Sequence, residues 1–259
     1  MKIIKVLALA AGVAVAVLPS AWAQDAMKIR IGTEGAYPPF NFLDSAGELN
    51  GFDVDIAKAL CEEMKADCEF VVQDWEGIIP ALMANKFDAI IASMSINEER
   101  KKSVDFTEKY YNTPPAVAVP KDSEVAGVAP EDLADLVVGA QASTTHSTWA
   151  EQFLTESEVK LYPTPDEYKL DLANGRLDAA VDDVVVLADW LATPDGDCCK
   201  MVGTVTIVPE IHGVGAGIAV RKGDDALRES LNAAIAAIRA NGKYEEINKK
   251  YFEFDVYGD

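Results

Sequence analysis

Asp88-Ala-Ile-Ile-Ala-Ser-Met-Ser-Ile-Asn-Glu-Glu-Arg100 is the stretch whose reading decides the fold. Its apolar run, Ala89 to Ala92, is of buried-strand type and gives way to small hydroxyl residues and then to a charged helix start. Ser95 followed by Glu98 matches a capping box, so Ser95 is expected to cap a helix whose free first-turn N–H groups face the space beyond the strand. A helix start of this kind favours carboxylates and phosphates. Arg100, one turn further in, is placed to add a two-pronged clamp on a carboxylate held there. The bland alternative is an ordinary strand-to-helix turn with Arg100 in a solvated Glu-Glu-Arg-Lys-Lys run.

Working outward, Met27 to Gly32 reads as a strand that delivers Glu34 beyond its carboxyl end, and Tyr37-Pro-Pro-Phe40 follows as a stiff loop. Phe52, Ile56, Ala57, Leu60 and Met64 recur at helical spacing, Glu69 to Gln73 is strand, and Trp75 to Asn85 is helix despite Pro80. Alternation of this kind predicts a mainly parallel sheet with helices on both faces. A second unit begins after Pro114-Pro115: Ala116 to Val119 and Leu136 to Gln141 are strands, and His146 to Leu154 is helix. Lys86-Phe-Asp-Ala-Ile-Ile-Ala-Ser93 is matched position for position by Arg176-Leu-Asp-Ala-Ala-Val-Asp-Asp183, which suggests two similar lobes. Ligands of open α/β sheets bind beyond the carboxyl ends of the strands. The repeat therefore sets Glu34, Ser93 and Ser95 in one lobe opposite Gln141, Ser143, Thr144, Thr145 and Asp183 in the other. Ile218 to Val220 is read as a strand returned to the first lobe, with crossings near 112–116 and 211–216 forming a hinge. The expected division is 24–114 with 215–259 for lobe one and 115–214 for lobe two.

Lys2 and Lys5, the apolar run Val6 to Leu18 and Ala21-Trp22-Ala23 have the three regions of a secretory signal peptide, so residues 1–23 are expected to be removed and the protein exported to the periplasm. The chain carries 23 basic and 43 acidic residues. Loss of the two lysines brings the net charge to about −22, which argues against nucleic acid and favours the approach of small cations. Cys61 and Cys68 flank a helix end and the next strand, and an oxidising compartment favours their pairing. The adjacent Cys198 and Cys199 could bridge each other, stay free or cross-pair. His146 and His212 stand apart in the sequence with no metal-ligand spacing, and a surface or core role is the reading for each. No metal and no cofactor are expected.

Taken together, Gly32-Thr-Glu-Gly-Ala-Tyr-Pro-Pro-Phe40, Gly51-Phe-Asp-Val-Asp-Ile56, Asp88 to Arg100 with Val104-Asp-Phe-Thr107, Gly175-Arg-Leu-Asp-Ala179 and Lys250-Tyr-Phe-Glu-Phe-Asp-Val-Tyr-Gly258 carry a resemblance over nearly the whole exported chain. The chain resembles the periplasmic solute-binding proteins of polar amino-acid ABC transporters, especially the lysine/arginine/ornithine- and histidine-binding proteins. The resemblance implies a two-lobed type II binding-protein fold with a two-strand hinge, an amino-acid ligand, permease subunits as partners, a monomer, and no catalytic residue. It implies that Arg100 clamps the ligand α-carboxylate with help from Ser95 and Thr145, that Asp183 and Ser93 take the α-ammonium, and that Tyr37 and Trp75 flank the side chain. Cys61 and Cys68 match a disulfide of those relatives. Glu34 stands where the basic-amino-acid binders have Asp and would meet a distal cation, a job that argues for a depressed pKa. Gln141 fills a position that is apolar in the nearest relatives and polar in binders of arginine and opines. Arginine is therefore the first expectation, with lysine, ornithine, histidine, opines and neutral polar amino acids behind it. A cyclohexadienyl dehydratase-like enzyme is the alternative of a different class, and it needs a pocket acid able to donate a proton, for which Glu34 is the candidate. A receptor sensor module is disfavoured, because no transmembrane segment or signalling domain follows Asp259.

Overall fold

The computed structural model describes residues 27–258; the signal-peptide reading of 1–23 lies outside the described residues. The first lobe begins with β1 (Lys28–Thr33), then a small antiparallel sheet of β2 (Ala36–Tyr37), β3 (Asn41–Leu43) and β4 (Leu49–Asn50). It continues through α1 (Phe52–Met64), β5 (Asp67–Val72), α2 (Trp75–Met83), β6 (Ala89–Ile90), α3 (Glu98–Lys101) and β7 (Val104–Tyr111). The second lobe holds β8 (Pro115–Pro120), β9 (Val137–Gln141), α4 (Thr145–Phe153), β10 (Glu158–Tyr162), α5 (Pro165–Ala173), β11 (Ala179–Asp183), α6 (Val184–Leu191), β12 (Cys199–Thr204) and α7 (Pro209–His212). The chain then returns with β13 (Ala216–Arg221), α8 (Asp225–Ala240) and α9 (Lys243–Tyr251).

The two main sheets are built alike. The first runs β5-β1-β6-β13-β7 and the second β10-β9-β11-β8-β12. In each, the first three strands are parallel and the fourth is antiparallel to both of its neighbours. That reversed strand, β13 or β8, is the one that enters directly from the other lobe. The mainly parallel sheets predicted from the sequence are thus present, with the hinge strands as the exceptions. Parallel strands covered on both faces are buried along their length, which accounts for the unbroken apolar runs. β11 illustrates it, with all five residues buried.

Core packing follows the helical spacing. Ile56, Ala57 and Leu60 of α1 meet Ile29 and Ile31 of β1 and Leu231, Ile235 and Ile238 of α8 in one buried cluster, where Phe40 and Phe52 also sit at 0% exposure. Asp88 fastens the edge of this lobe, taking Arg30 Nη2 at 2.9 Å and Arg221 Nη2 at 3.1 Å. Burial pushes its carboxyl up, but the two guanidinium groups outweigh that and hold it at about 2. Cys61 and Cys68 form the expected disulfide from α1 to β5, and Cys198 and Cys199 are bridged to each other. At the return crossing, Gly213 has φ 72°, and a Cβ there would lie 1.9 Å from the Ile96 carbonyl oxygen. Only glycine lets the two segments approach this closely.

Candidate functional site

The carboxyl ends of β1, β6, β9 and β11 converge on a cleft between the lobes. A cavity of about 300 Å³ is lined by Glu34, Tyr37, Trp75, Ser93, Ser95, Arg100, Gln141 and Thr145, together with Thr144 and His146. Asp183 lines an adjoining cavity of about 450 Å³ on the hinge side, which shares Tyr37, Ser93, Ser95, Thr145 and His146 with the first. Apart from Ser143, which lines neither cavity, the residues singled out from the sequence are gathered in one cleft, in two compartments that share lining residues.

The turn after β6 differs from the expected cap. Asn97, not Ser95, caps α3, its side chain accepting from the Arg100 N–H at 2.9 Å. Ser95 is instead drawn into a β-bridge with Ala216, and α3 is only four residues long. Asn97 wins because its amide reaches the N3 position while the backbone of Ser95 is already taken by the returning strand. What this turn presents to the cleft is the Arg100 guanidinium. Nη1 donates to the Ser95 carbonyl at 3.0 Å, Nη2 to the Ser143 carbonyl at 3.4 Å, and the group lies 5.2 Å from the Trp75 ring centroid. Among the described residues no carboxylate forms an ion pair with Arg100, whose pKa burial lowers to about 10. It remains a cation at neutral pH.

Ser93 has φ 55°, a left-handed conformation that a serine adopts only when it is held. Asp53, at the start of α1 and 0% exposed, does the holding: it accepts from Ser93 Oγ, Tyr110 Oη and Asn41 Nδ2, each at 2.9 Å. The Ser93 hydroxyl proton is thus committed to Asp53, which leaves its oxygen as an acceptor, with the Tyr111 hydroxyl also within its reach. Burial lifts the Asp53 carboxyl to about 6 against these three donors.

The second lobe carries a reciprocal capping box, where α3 of the first has the single Asn97 cap. Thr144 caps α4 by accepting from the Ser147 N–H at 3.0 Å, and Ser147 Oγ accepts from the Thr144 N–H at 3.1 Å. Thr145 is the first residue of the helix, at the cavity wall. Asp183 caps α6, taking the Val185 N–H at 2.8 Å and the Thr113 hydroxyl. Burial lifts its carboxyl to about 7 despite these donors.

At the far end, Gln141 Nε2 donates to Glu34 Oε1 at 2.6 Å and to the Pro163 carbonyl at 3.0 Å. Two acceptors so close fix the amide with its NH₂ toward them. Glu34 departs from the depressed pKa expected of it: burial lifts it to about 7, the Gln141 amide opposes this only partly, and the carboxylates of Asp182, Asp74 and Asp166 add to it. A carboxyl walled from water beside other acids is partly protonated near neutrality, and an arriving cation favours its ionised form.

Three groups escaped the sequence reading. Asp182 is 2% exposed and lies between the lobes, bonded to Tyr37. His146, read as a surface or core residue, lines both cavities with Nε2 3.3 Å from Asp182 Oδ1. His212 lines the second cavity, its Nδ1 accepting from the Val208 N–H at 2.9 Å, while burial and the neighbouring His146 lower its pKa to about 4. The one signal for Asp182 was the acidic pair ending the apolar run Ala179 to Val181. No cluster of three His, Cys, Asp or Glu suited to a metal occurs among the described residues. Nor is any described helix long and apolar enough to cross a membrane.

A cleft between twin α/β lobes, with an unpaired cation on one wall and acids on the others, defines a small-solute binding protein. The chain belongs to the bacterial extracellular solute-binding proteins, family 3, whose sequence profile matches residues 29–254. It is 49% identical to an L-arginine-binding protein of Pseudomonas aeruginosa over 89% of this chain and 90% of that protein. It is 40% identical to the histidine-binding periplasmic protein of Escherichia coli, over 92% and 93% respectively. Among solved structures, an ancestral arginine-binding protein bound to glutamine superposes with a TM-score of 0.81 at 36% identity, covering 88% of this chain and 98% of that one.

Proposed function

We propose that the protein captures a basic amino acid, arginine first, between lobes 24–114 with 215–259 and 115–214, and delivers it in the periplasm to the permease of an ABC importer. The observation that carries this reading is the charge layout of the cleft. Arg100 is a cation without an acid, as an α-carboxylate site requires, while Asp183 and the lone pairs of Ser93 offer acceptors to an α-ammonium. Once Glu34 is ionised, the distal end is made of acceptors alone. With both Gln141 N–H groups taken by Glu34 and Pro163, what these two lining residues have left to offer is the Gln141 amide oxygen and the Glu34 carboxyl. A guanidinium brings five donors and no acceptor, whereas the glutamine amide would set its own oxygen among oxygens. Tyr37 and Trp75 border the same space and suit the face of a cation. Ligand bound to both lobes stabilises the closed form by its differential contacts.

A thermal-shift and calorimetric screen of the twenty amino acids and common opines tests this. Arginine at one hundred times its dissociation constant should add about 2.7 kcal/mol of stability. Glutamine binding more tightly than arginine would overturn the basic-amino-acid reading while leaving amino-acid capture intact. The raised Glu34 pKa is what a proton-donating enzyme on this scaffold would need, but the relatives are named as binding proteins. Incubation with prephenate or arogenate is expected to give no turnover.

A further inference from the structure

Asp182 is a buried acid that the binding scheme leaves unused. Its Oδ1 accepts the Tyr37 hydroxyl at 2.5 Å and the Asp183 N–H at 2.7 Å, and its Oδ2 accepts the Tyr168 hydroxyl. His146 stands beside it, and Lys169, Asp183 and Glu34 are the other charged groups whose fields reach it. Tyr168, Asp183, His146 and Lys169 belong to the second lobe with Asp182. Tyr37 comes from the first lobe, where its ring stacks on Phe40 with centroids 5.9 Å apart. The ring that borders both cavities is therefore pinned at its base by one lobe and at its tip by the other.

We propose that Asp182 is a closure latch, a positioning residue that locks the Tyr37 ring over the bound amino acid through a bond made only when the lobes meet. The proposal rests on the reading that an amino acid occupies this cleft. Neither group is exposed enough for water to substitute easily, so breaking the bond leaves both partners short of a hydrogen bond. Because the bond forms after capture, it governs how slowly the ligand leaves, not how fast it arrives. Tyr168 takes part in no such closure. Its bond to Asp182 lies within one lobe and is the same whether the cleft is open or shut.

The experiment is a stopped-flow cycle with arginine on the parent, Tyr37→Phe, Asp182→Asn and the double variant, with Tyr168→Phe alongside. Tyr37→Phe keeps the ring and should release arginine about ten-fold faster or more, with association changed less than about two-fold. The double variant should release no faster than the faster of its two parents. Tyr168→Phe should lower the melting temperature but leave dissociation within about two-fold of the parent. Unchanged dissociation in Tyr37→Phe, equal acceleration in Tyr168→Phe, or multiplying effects in the double variant would each overturn the latch. If the parent binds another amino acid but not arginine, the arginine reading falls and the cycle is read with the amino acid that binds. A parent that binds none overturns both.

Discussion

The two lobes solve the same problem at the exits of their strands in different ways. After β6 the chain makes an irregular turn held by Asn97 and the returning β13, and contributes a side-chain cation, Arg100. After β9 it enters the nine-residue helix α4 under a reciprocal Thr144–Ser147 cap and contributes main-chain amides at Thr145. One half of the proposed carboxylate site is a side-chain charge held in place, and the other is a fixed set of dipoles. A helix of four residues sums few peptide dipoles, and the lobe with the short helix is the one that carries the arginine.

The sharpest way to break this division is Arg100→Ala. Affinity for every amino acid should fall by ~2–5 kcal/mol, because the α-carboxylate is common to all, and calorimetry on the folded variant reads it. At the distal end, Glu34→Gln should weaken arginine by ~1.5–3 kcal/mol and leave glutamine nearly unchanged. The loss should appear in dissociation, since the acidic surface that steers cations remains.

Proton release sharpens the comparison further. Asp183 and Glu34 are both lifted to about 7 in the empty cleft. Cations bind their ionised forms, so affinity should rise with pH up to about 7 and level off above it. Each group contributes at most ~1.4 kcal/mol per pH unit. If arginine engages both groups as proposed and glutamine only Asp183, the arginine profile should be the steeper, and Glu34→Gln should make the two alike. Without ligand the sign reverses. Raised carboxyls favour the folded state when protonated, so stability should fall as pH climbs from their unfolded values to about 7. Calorimetry from pH 5 to pH 9 in buffers of different ionisation enthalpy counts the protons.

The smallest effects concern the caps. Thr144→Ala should cost ~0.5–2 kcal/mol in denaturant unfolding, and Asn97→Ala about as much. Ser95→Ala should stay within about 0.5 kcal/mol of the parent, because its hydroxyl caps nothing.

Strands, helices, the twin-lobe plan and the cleft itself were legible because each rests on local signals: apolar runs, helical spacing and the repeat of 86–93 in 176–183. The capping box at Ser95 and Glu98 failed for a non-local reason, since Ala216, far along the chain, claims the Ser95 backbone. The direction of the Glu34 pKa failed likewise, through burial and through acids gathered from both lobes, Asp74 from its own and Asp182 and Asp166 from the other. Asp182 and His146 were invisible because their partners, Tyr37 and the cleft wall, are set by lobe contact. The small sheet of β2, β3 and β4 lies where a loop was read, its strands being too short to show alternation.

The place of β13 inside the first sheet has a consequence for how the molecule is made. β7 bonds to β13 alone, and β6 meets β13 on one side. As the chain emerges from its N-terminal end, residues 104–111 therefore have no strand to pair with and wait until 216–221 follow. Everything from 115 to 204 emerges in between and already contains all five strands of its own sheet. The lobe begun second can thus be completed first, and the lobe begun first closes last, by receiving a strand into its middle. Until then its apolar edge is open, which marks the late-arriving segment, not the early one, as the point where assembly is most exposed to error.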